Sequence, residues 1–356
     1  MKRKVIPVLI GLLLIVLILA GAAGVFLFQR YSGSKEEADL NAYFGLNGSQ
    51  EVAIVWNQEL TEEKGLLQDE RCYLKLDTVH EMLNERFYVD HNEKLLLYTL
   101  PEETVQIGIG EQTADGYTAA VEQNGDVWLA LDYVKQYSDF NYALYTEPNR
   151  VVLTTNWDTL QSAELKKNTA LRVRGGVKSE VLQNLEKGTK VTVLEEMENW
   201  DQVQTQDGYI GYVQKKHLTD PAEETPVKDT GYVEPDYTGN LRDHKIDLAW
   251  HQVTVESANS TFPGVMSGVT GVNVISPTWF YLNDNNGNLA NLASLDYVNY
   301  CHSQGVEVWA LVSNLENKDA DSAEVLTHTS KRQNLVNQIV SMAIQYNLDG
   351  INLDFE

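Results

Sequence analysis

The spacing of apolar residues divides the chain into stretches with different predicted structures. An unbroken apolar run covers Val5 to Phe28 and is long enough for a membrane-spanning helix. Short strands with period-two alternation and small helices are predicted from there to about residue 218. After a polar stretch, strands and amphipathic helices alternate from about residue 244 to the end. That alternation is the order expected of parallel β/α units.

The apolar run predicts a membrane anchor over residues 1–30. Three basic residues precede it, which predicts a cytoplasmic N-terminus and places everything after Gln29 outside. The small residues Ala20-Gly21-Ala22 also have the form of a signal-peptide cleavage site. The run continues past that site to Phe28, which favours a single-pass anchor through residues 5–28. Either alternative places the body of the protein outside the cytoplasm, and the anchored form places it in the cell envelope.

The stretch after the anchor contains an internal repeat. The segments that begin at Cys72 and Val127 each contain an apolar strand, an Asp, a short helix, a basic residue and a second apolar strand. Residues 36–157, which contain both copies, resemble the small α+β N-terminal domain of copper amine oxidases. The resemblance implies no catalysis, because no copper-binding histidine cluster accompanies it, and it predicts a spacer or adhesion module.

Residues 168–218 predict a small barrel of β-hairpins. Short alternating strands are broken by Gly175-Gly176, Lys187-Gly188 and Asp207-Gly208. The segment resembles a bacterial Src-homology-3-like domain, which implies a cell-wall peptide as partner. Trp200 and Tyr209 either line the peptide groove or pack in the core. The polar residues 219–240 contain few apolar side chains and predict a linker.

Four strands are predicted in the last part of the chain, residues 241–356. They cover Lys245 to Val253, Gly271 to Leu282, Val306 to Asn314 and the final segment ending at Glu356. A short helix through Leu292, Leu295 and Val298 precedes the third strand. A longer helix is predicted before the fourth strand, and its apolar residues should pack against the sheet: Leu335, Val336, Ile339, Val340 and Ala343.

The last eight residues, DGINLDFE, carry the candidate chemistry. On a strand, Ile351, Leu353 and Phe355 share one face, and Asn352, Asp354 and Glu356 share the other. Burying unpaired carboxylates is costly, so a strand of this kind is used for chemistry or is paired with cations. The alternative is an acidic strand end at a solvated sheet edge.

This segment resembles the active-site strand of glycoside hydrolase family 18, the chitinase-like enzymes. The likeness implies a (β/α)8 barrel and a retaining mechanism in which the sugar's 2-acetamido group is the nucleophile. Glu356 would be the general acid and then the base, with a pKa raised by burial. Asp354 would orient the acetamido group, Asn352 replaces the family's middle Asp, and Asp349 would be structural.

The barrel predicted by this resemblance has its active site at the carboxyl ends of the strands. Glu356, Asn314 and the segment Pro277 to Phe280 should therefore lie at one rim. Asn314 and Trp279 are the predicted substrate-binding residues, and the alternative for Trp279 is a core position. The sequence of strands two to four resembles the spore and cell-wall branch of the family more closely than it resembles the secreted chitinases.

A complete barrel takes about 250 residues, more than remain after residue 244. We therefore expect the sequence to be a fragment of a longer product, inactive as written, with strands one to four of the barrel. The net charge of −24 argues against nucleic acid and anionic lipid as partners. Cys72 and Cys301 lie in different predicted domains, so no disulfide is expected between them. No metal or cofactor is expected, since the histidines are scattered singly.

The predicted fold class is multidomain: a transmembrane helix, an α+β repeat domain, an all-β barrel and a truncated (β/α)8 barrel. The predicted function is hydrolysis of β-1,4 bonds at N-acetylglucosamine in peptidoglycan or chitin. The alternative is a non-catalytic, membrane-anchored protein that binds the cell wall.

Overall fold

The computed structural model describes residues 2–237 and 239–356, and the side chains of residues 2–9 are outside the description. Met1 of the predicted anchor and Thr238 of the predicted linker therefore lie outside the described residues. The chain forms two compact units. The first contains the residues up to Phe87 together with Gly110–Glu234, and the second contains Tyr88–Ile109 together with Pro235–Glu356.

The chain begins with one long apolar helix, α1 (Lys2–Tyr31). Its segment Ile10–Tyr31 spans 22 residues with a mean hydropathy of 2.9 and is the one helix among the described residues that is long and apolar enough to cross a membrane. Length and composition are the same for a signal sequence and for an anchor. Both alternatives therefore remain for this helix.

A seven-stranded sheet follows in the first unit, accompanied by the short helix α2 (Leu40–Phe44). Its strands are β1 (Glu51–Trp56), β2 (Glu59–Gln68), β3 (Arg71–Lys75), β7 (Ala120–Gln123), β8 (Asp126–Ala130), β9 (Asn141–Tyr145) and β10 (Arg150–Thr154). Their spatial order is β7-β8-β3-β2-β1-β10-β9. The single parallel pair of neighbours along this order is β1 with β10, and the other neighbours are antiparallel.

The internal repeat predicted from the sequence is present as local structure. In the first copy β3 leads into helix α3 (Leu76–Met82), and in the second β8 leads into helix α4 (Leu131–Lys135). The hairpins that follow the two helices differ in their partners. β9 and β10 join the large sheet, whereas β4 (Phe87–Asp90) and β5 (Leu95–Thr99) form a separate three-stranded sheet with β6 (Thr104–Gly108).

The second seven-stranded sheet covers the predicted hairpin barrel. Its strands are β11 (Leu160–Glu164), β12 (Thr169–Arg172), β13 (Val181–Leu185), β14 (Lys190–Glu195), β15 (Trp200–Thr205), β16 (Ile210–Gln214) and β17 (Ala222–Glu224). Among the neighbours in this sheet, every recorded pair is antiparallel. Strand β17 lies inside the segment predicted as a linker and is an edge strand beside β11. That expectation was wrong for residues 222–224, because edge pairing uses backbone hydrogen bonds and needs no apolar side chains.

The second unit contains a parallel sheet, as predicted. Its strands are β18 (Leu248–His251), β19 (Val274–Leu282), β21 (Glu307–Ser313) and β22 (Gly350–Asp354), in that spatial order, and the short β20 (Leu289–Asn291) pairs antiparallel with β19. Helices α5 (Phe262–Met266), α6 (Leu295–Ser303), α7 (Ser322–Leu326) and α8 (Thr329–Gln345) occupy the connections. The sequential strand order confirms the expected succession of β/α units.

One face of this sheet is covered by an apolar core. Phe262, Phe280, Tyr297 and Val312 are among its buried residues. Helix α8 contributes Leu335 and Ile339 to the packing.

The apolar stripe of α8 is wider than the packed surface. Val336 and Val340 are exposed, which contradicts the expectation that they pack on the sheet, and Ile344 is 77% exposed. Hydrophobic spacing predicts which side of a helix is apolar, but the width of the contact depends on which element lies beside it.

Candidate active site and candidate peptide groove

The parallel register places residues from three strands at the same level. Tyr281 of β19 pairs with Ser313 of β21, which pairs with Asp354 of β22. One step earlier on the same face, Leu311 pairs with Asn352. Because neighbouring residues in register point to the same side of a sheet, Asn352 and Asp354 share a face that ends at the carboxyl edge of the strands.

Asn352 is held from a neighbouring part of the sheet. Its Nδ2 donates a hydrogen bond of 3.1 Å to the hydroxyl of Ser276 in β19. Ser276 is fully buried, and Asp354 is exposed. The amide of Asn352 is therefore bound to Ser276.

Glu356 is positioned through its backbone by Asn314. The Oδ1 atom of Asn314 accepts from the Glu356 backbone N–H at 3.0 Å, and Nδ2 donates to the Glu356 carbonyl at 2.9 Å. The same Nδ2 also donates to the Ser322 hydroxyl at 3.0 Å. Both amide hydrogens of Asn314 have partners within the protein, so Asn314 positions Glu356, and its expected contact with sugar stays a prediction.

The Glu356 residue is exposed in this chain, and the burial expected around the general acid stays a prediction. Glu316 lies near the same edge and accepts a hydrogen bond from the Ser313 hydroxyl. The edge therefore presents carboxylates to solvent. Carboxylates in such a position can accept and return protons and can orient a polar ligand.

Asp349 lies at the opposite end of β22. One of its oxygens, Oδ2, accepts from the backbone N–H of Val308 at 2.8 Å and lies 2.8 Å from Nε2 of His302. These contacts tie the start of β22 to β21 and α6. Asp349 is thus separated from the carboxyl edge by the length of the strand.

Trp279 occupies the core. Its side chain is 0% exposed, and its indole N–H donates to Oδ1 of Asn259 at 2.8 Å. The expectation that Trp279 stacks on a sugar was wrong for this structure, because no face of the ring is accessible. The segment Pro277 to Phe280 is likewise inside strand β19 and not at the rim, since β19 continues to Leu282.

Sequence reasoning missed two residues on the face of Asn352. Ser276 supplies the hydroxyl that holds the amide, and Trp250 pairs in register with Ser276. Trp250 is 69% exposed, so it is the accessible indole that Trp279 was expected to be. Period-two spacing in the sequence LAWH places Trp250 on the same face of the strand as Leu248, and this spacing was the sequence signal for its position.

A second candidate site lies in the hairpin barrel. A cavity of about 430 Å³ is lined by Trp200, Asn199, Gln214 and the cations Lys166, Lys215 and Lys216, together with acidic residues. Trp200 is half-buried, whereas Tyr209 is buried in the core. Of the two aromatic residues singled out from the sequence, Trp200 therefore lines this cavity and Tyr209 packs in the core.

Comparison with known proteins identifies the barrel. Residues 167–219 match the family described as Bacterial SH3 domain, which confirms the prediction for residues 168–218. The match covers this part of the chain alone. No curated protein matches the chain.

Solved chitinase structures are partly similar to about a third of the chain. The C-terminal domain of a chitinase candidate from Desulfitobacterium hafniense DCB-2 is 23% identical to this chain. The similarity covers 32% of this chain and 34% of that structure, with a TM-score of 0.27. Chitinase ChiC from Aspergillus fumigatus is 22% identical over 31% and 44%, with a TM-score of 0.26. A class V enzyme from Pseudomonas fluorescens Pf-5 is 23% identical over 31% and 34%, with a TM-score of 0.25. The chain spans less than half of the length of each of these three structures.

Proposed function

We propose that the protein is a cell-envelope glycosidase that hydrolyses β-1,4 bonds at N-acetylglucosamine in peptidoglycan, with chitin as the alternative glycan. The observation that supports this proposal is the arrangement at the carboxyl edge of the parallel sheet. Asn352 and Asp354 share one face there. Glu356 lies two residues after Asp354, and its backbone is held by the side chain of Asn314.

The proposed mechanism is retaining and uses the substrate's own acetamido group. Glu356 donates a proton to the glycosidic oxygen while the acetamido oxygen attacks the anomeric carbon, and the leaving sugar departs. Asp354 orients the acetamido group and stabilises the positive charge that forms on it. Glu356, now a carboxylate, removes a proton from the water that opens the cyclic intermediate, which restores the acid.

Asn352 distinguishes this chain from the pattern of the resembled family. A neutral amide cannot exchange a proton with Asp354, and here its Nδ2 donates to Ser276. Proton exchange between two aspartates is therefore not part of the proposed mechanism. The charge on the acetamido group would be balanced by a fixed carboxylate.

The other parts of the chain fit an envelope protein in this proposal. Helix α1 would anchor it, and the repeat in residues 36–157, with its likeness to the copper amine oxidase N-terminal domain, would act as a spacer. The domain at 168–218 would bind cell-wall peptide in the groove beside Trp200. The parallel sheet would be the first four strands of a (β/α)8 barrel.

Hydrolysis by the native protein tests the proposal. The protein would be purified from its own membranes in detergent, incubated with peptidoglycan or chitin oligosaccharides, and assayed for new reducing ends. We expect cleavage with retention at the anomeric carbon and no cleavage by Glu356→Gln. The intact mass of the same sample would show which chain was assayed. Equal cleavage by wild type and Glu356→Gln would refute the assignment of the acid.

The alternative is a non-catalytic protein that binds the cell wall. Asn352 favours this alternative, because a neutral amide stands where the resembled family has its middle Asp and cannot share a proton with Asp354. If the native protein sediments with peptidoglycan but releases no reducing ends, the binding function replaces the catalytic one.

A further inference from the structure

The three-stranded sheet β4-β5-β6 and the first turns of helix α8 form one site in the second unit. Asp90 at the end of β4 is fully buried. Its Oδ2 accepts hydrogen bonds of 2.6 Å from both the backbone N–H and the hydroxyl of Thr329. The carboxylate of Glu93 accepts from Ser330, the next residue of the helix, at 3.0 Å. These bonds satisfy N–H groups at the helix start, so the helix end is fixed to this sheet.

A cavity of about 620 Å³ lies beside these bonds, within the size range of sites that hold small ligands. The cross-strand pairs Leu97 with Gln106 and Thr99 with Thr104 belong to β5 and β6. All four side chains line the cavity and stand on one face of the sheet, since they occupy alternate positions. The sheet β4-β5-β6 therefore forms one side of the cavity.

Helix α8 supplies the facing wall. Thr329, Arg332 and Gln333 line the cavity, and their spacing of three and four residues places them on one side of the helix. Arg332 donates to the Leu326 carbonyl and, at 3.2 Å, to the Thr329 hydroxyl. Its guanidinium lies 5.6 Å from the centre of the Tyr88 ring. Arg332 and Tyr88 thus lie side by side in the cavity wall.

Tyr88 provides an accessible aromatic surface. It is 47% exposed, while its neighbours in β4 are buried. Beyond this ring, the cavity offers threonine hydroxyls and glutamine amides, each of which both donates and accepts hydrogen bonds. Among the described lining residues none is acidic, although the chain carries 51 acidic residues.

We propose that this cavity binds a short oligosaccharide of neutral, N-acetylated sugars. A sugar ring has one face of C–H groups, which suits the Tyr88 ring, and an edge of hydroxyl and acetamido groups, which suits Thr99, Thr104, Gln106 and Gln333. Among the described lining residues Arg332 is the charged one, and its guanidinium donates to the Leu326 carbonyl and the Thr329 hydroxyl. The other polar lining groups are uncharged and match that edge of the sugar. The choice of N-acetylated sugars rests on the proposed function, and the site would hold the glycan at a second point away from the carboxyl edge of the parallel sheet.

The test measures binding of a hexasaccharide of β-1,4-linked N-acetylglucosamine by calorimetry. All variants carry Glu356→Gln in the full chain in detergent micelles, so that hydrolysis does not disturb the titration. Tyr88→Ala is expected to weaken binding about tenfold or more, as loss of a central aromatic contact does. Gln106→Ala, an exposed position, is expected to weaken it about threefold. Val227→Ala, at an exposed position of the first unit, should leave the heat of binding unchanged.

Two outcomes would overturn the proposal. In the first, the parent chain takes up no hexasaccharide; in the second, Tyr88→Ala and Gln106→Ala bind it as the parent does. Should Tyr88→Ala fail to fold, Gln106→Ala alone decides the result. A native protein that cleaves glycan while both cavity variants bind normally would refute this site and keep the glycosidase. If the cavity variants bind more weakly and the native protein cleaves no glycan, this site is supported and the glycosidase is refuted.

Discussion

Replacing Trp279 tests whether the tryptophan belongs to the core or to the sugar site. Trp279→Ala removes a side chain that is 0% exposed and donates its indole N–H to Asn259. Trp250→Ala is a matched control on the same sheet, because Trp250 is 69% exposed. The two variants make the same chemical change in opposite environments.

The expected difference follows from the loss of packing. Truncation of a buried Trp to Ala costs about 3–5 kcal/mol, including the cavity that remains. The cost should lie toward the upper end, since Oδ1 of Asn259 would lose its buried donor, and a buried unsatisfied acceptor costs about 1–3 kcal/mol by itself. Trp250→Ala should stay within about 0.5 kcal/mol, as is usual for surface substitutions.

Urea unfolding would be monitored by hydrogen exchange of the amides in β19 and β21. This measurement reports the stability of the parallel sheet separately from that of the first unit. With a slope of about 2 kcal/mol per molar urea, Trp279→Ala should lower the midpoint by about 1.5–2.5 M. Trp279→Phe, which keeps an aromatic ring but not the N–H, should fall between this variant and wild type. Equal midpoints for Trp279→Ala and Trp250→Ala would refute the core assignment.

Three further predictions concern single contacts. The pKa of Asp90 is lowered, because hydrogen bonds from neighbouring groups outweigh the opposing effect of its burial. Its contribution to stability is therefore present above the ordinary aspartate pKa of about 3.9 and is lost as the pH falls through the lowered value, so Asp90→Asn should weaken the acid dependence seen in denaturant unfolding. Gly287→Ala should destabilise the second unit by more than about 1 kcal/mol in thermal melts, because φ is +80° and an added Cβ would lie 2.5 Å from a backbone oxygen of α8. Gly305→Ala is the control: φ is +72° there but the space around it is open, so this variant should cost less in the same melts. Arg150→Ala breaks a 2.9 Å ion pair with Asp207 in which the Arg150 side chain is 5% exposed, and it should cost about 3–5 kcal/mol in the first unit; an unchanged unfolding midpoint would show that the pair contributes nothing.

Local sequence patterns predicted much of the fold because they act through neighbours along the chain. The alternation of strands and helices after residue 244 indicated four parallel strands in order, and the structure contains β18, β19, β21 and β22 in that order. Turn residues and short alternating strands indicated the small barrel, which the match over residues 167–219 confirms. In both cases the hydrophobic period of each element carried the information.

The candidate site was predicted less completely. Period-two spacing places Asn352 and Asp354 on one face, and the parallel pairing with β21 agrees with that arrangement. The spacing could not show that Ser276 would hold Asn352, or that Asn314 would hold the backbone of Glu356. Such bonds join residues that are distant in sequence, so they depend on the register between strands.

Trp250 and Trp279 also show which features the sequence predicts and which depend on the register between strands. Both stand in strands of the parallel sheet, and both are apolar residues with a donor group. The register shift between β19 and β21 lies at the level of Trp279, between Thr278 and Phe280. A shift of one residue exchanges the faces of a strand, which an alternation pattern read from the sequence alone does not reveal.

The sequence by itself determined the apolar helix, the strand and helix periods, the barrel of hairpins and the acidic strand. Only the tertiary structure decided where the hairpin β4-β5 goes. The two copies of the internal repeat contain the same local elements, yet β9 and β10 complete the large sheet, while β4 and β5 pair with β6. Asp90 and Glu93 of that hairpin bind the start of α8. Both copies show the same order of local elements, whereas the partners of each hairpin are set by long-range hydrogen bonds and packing, which no short window of sequence contains.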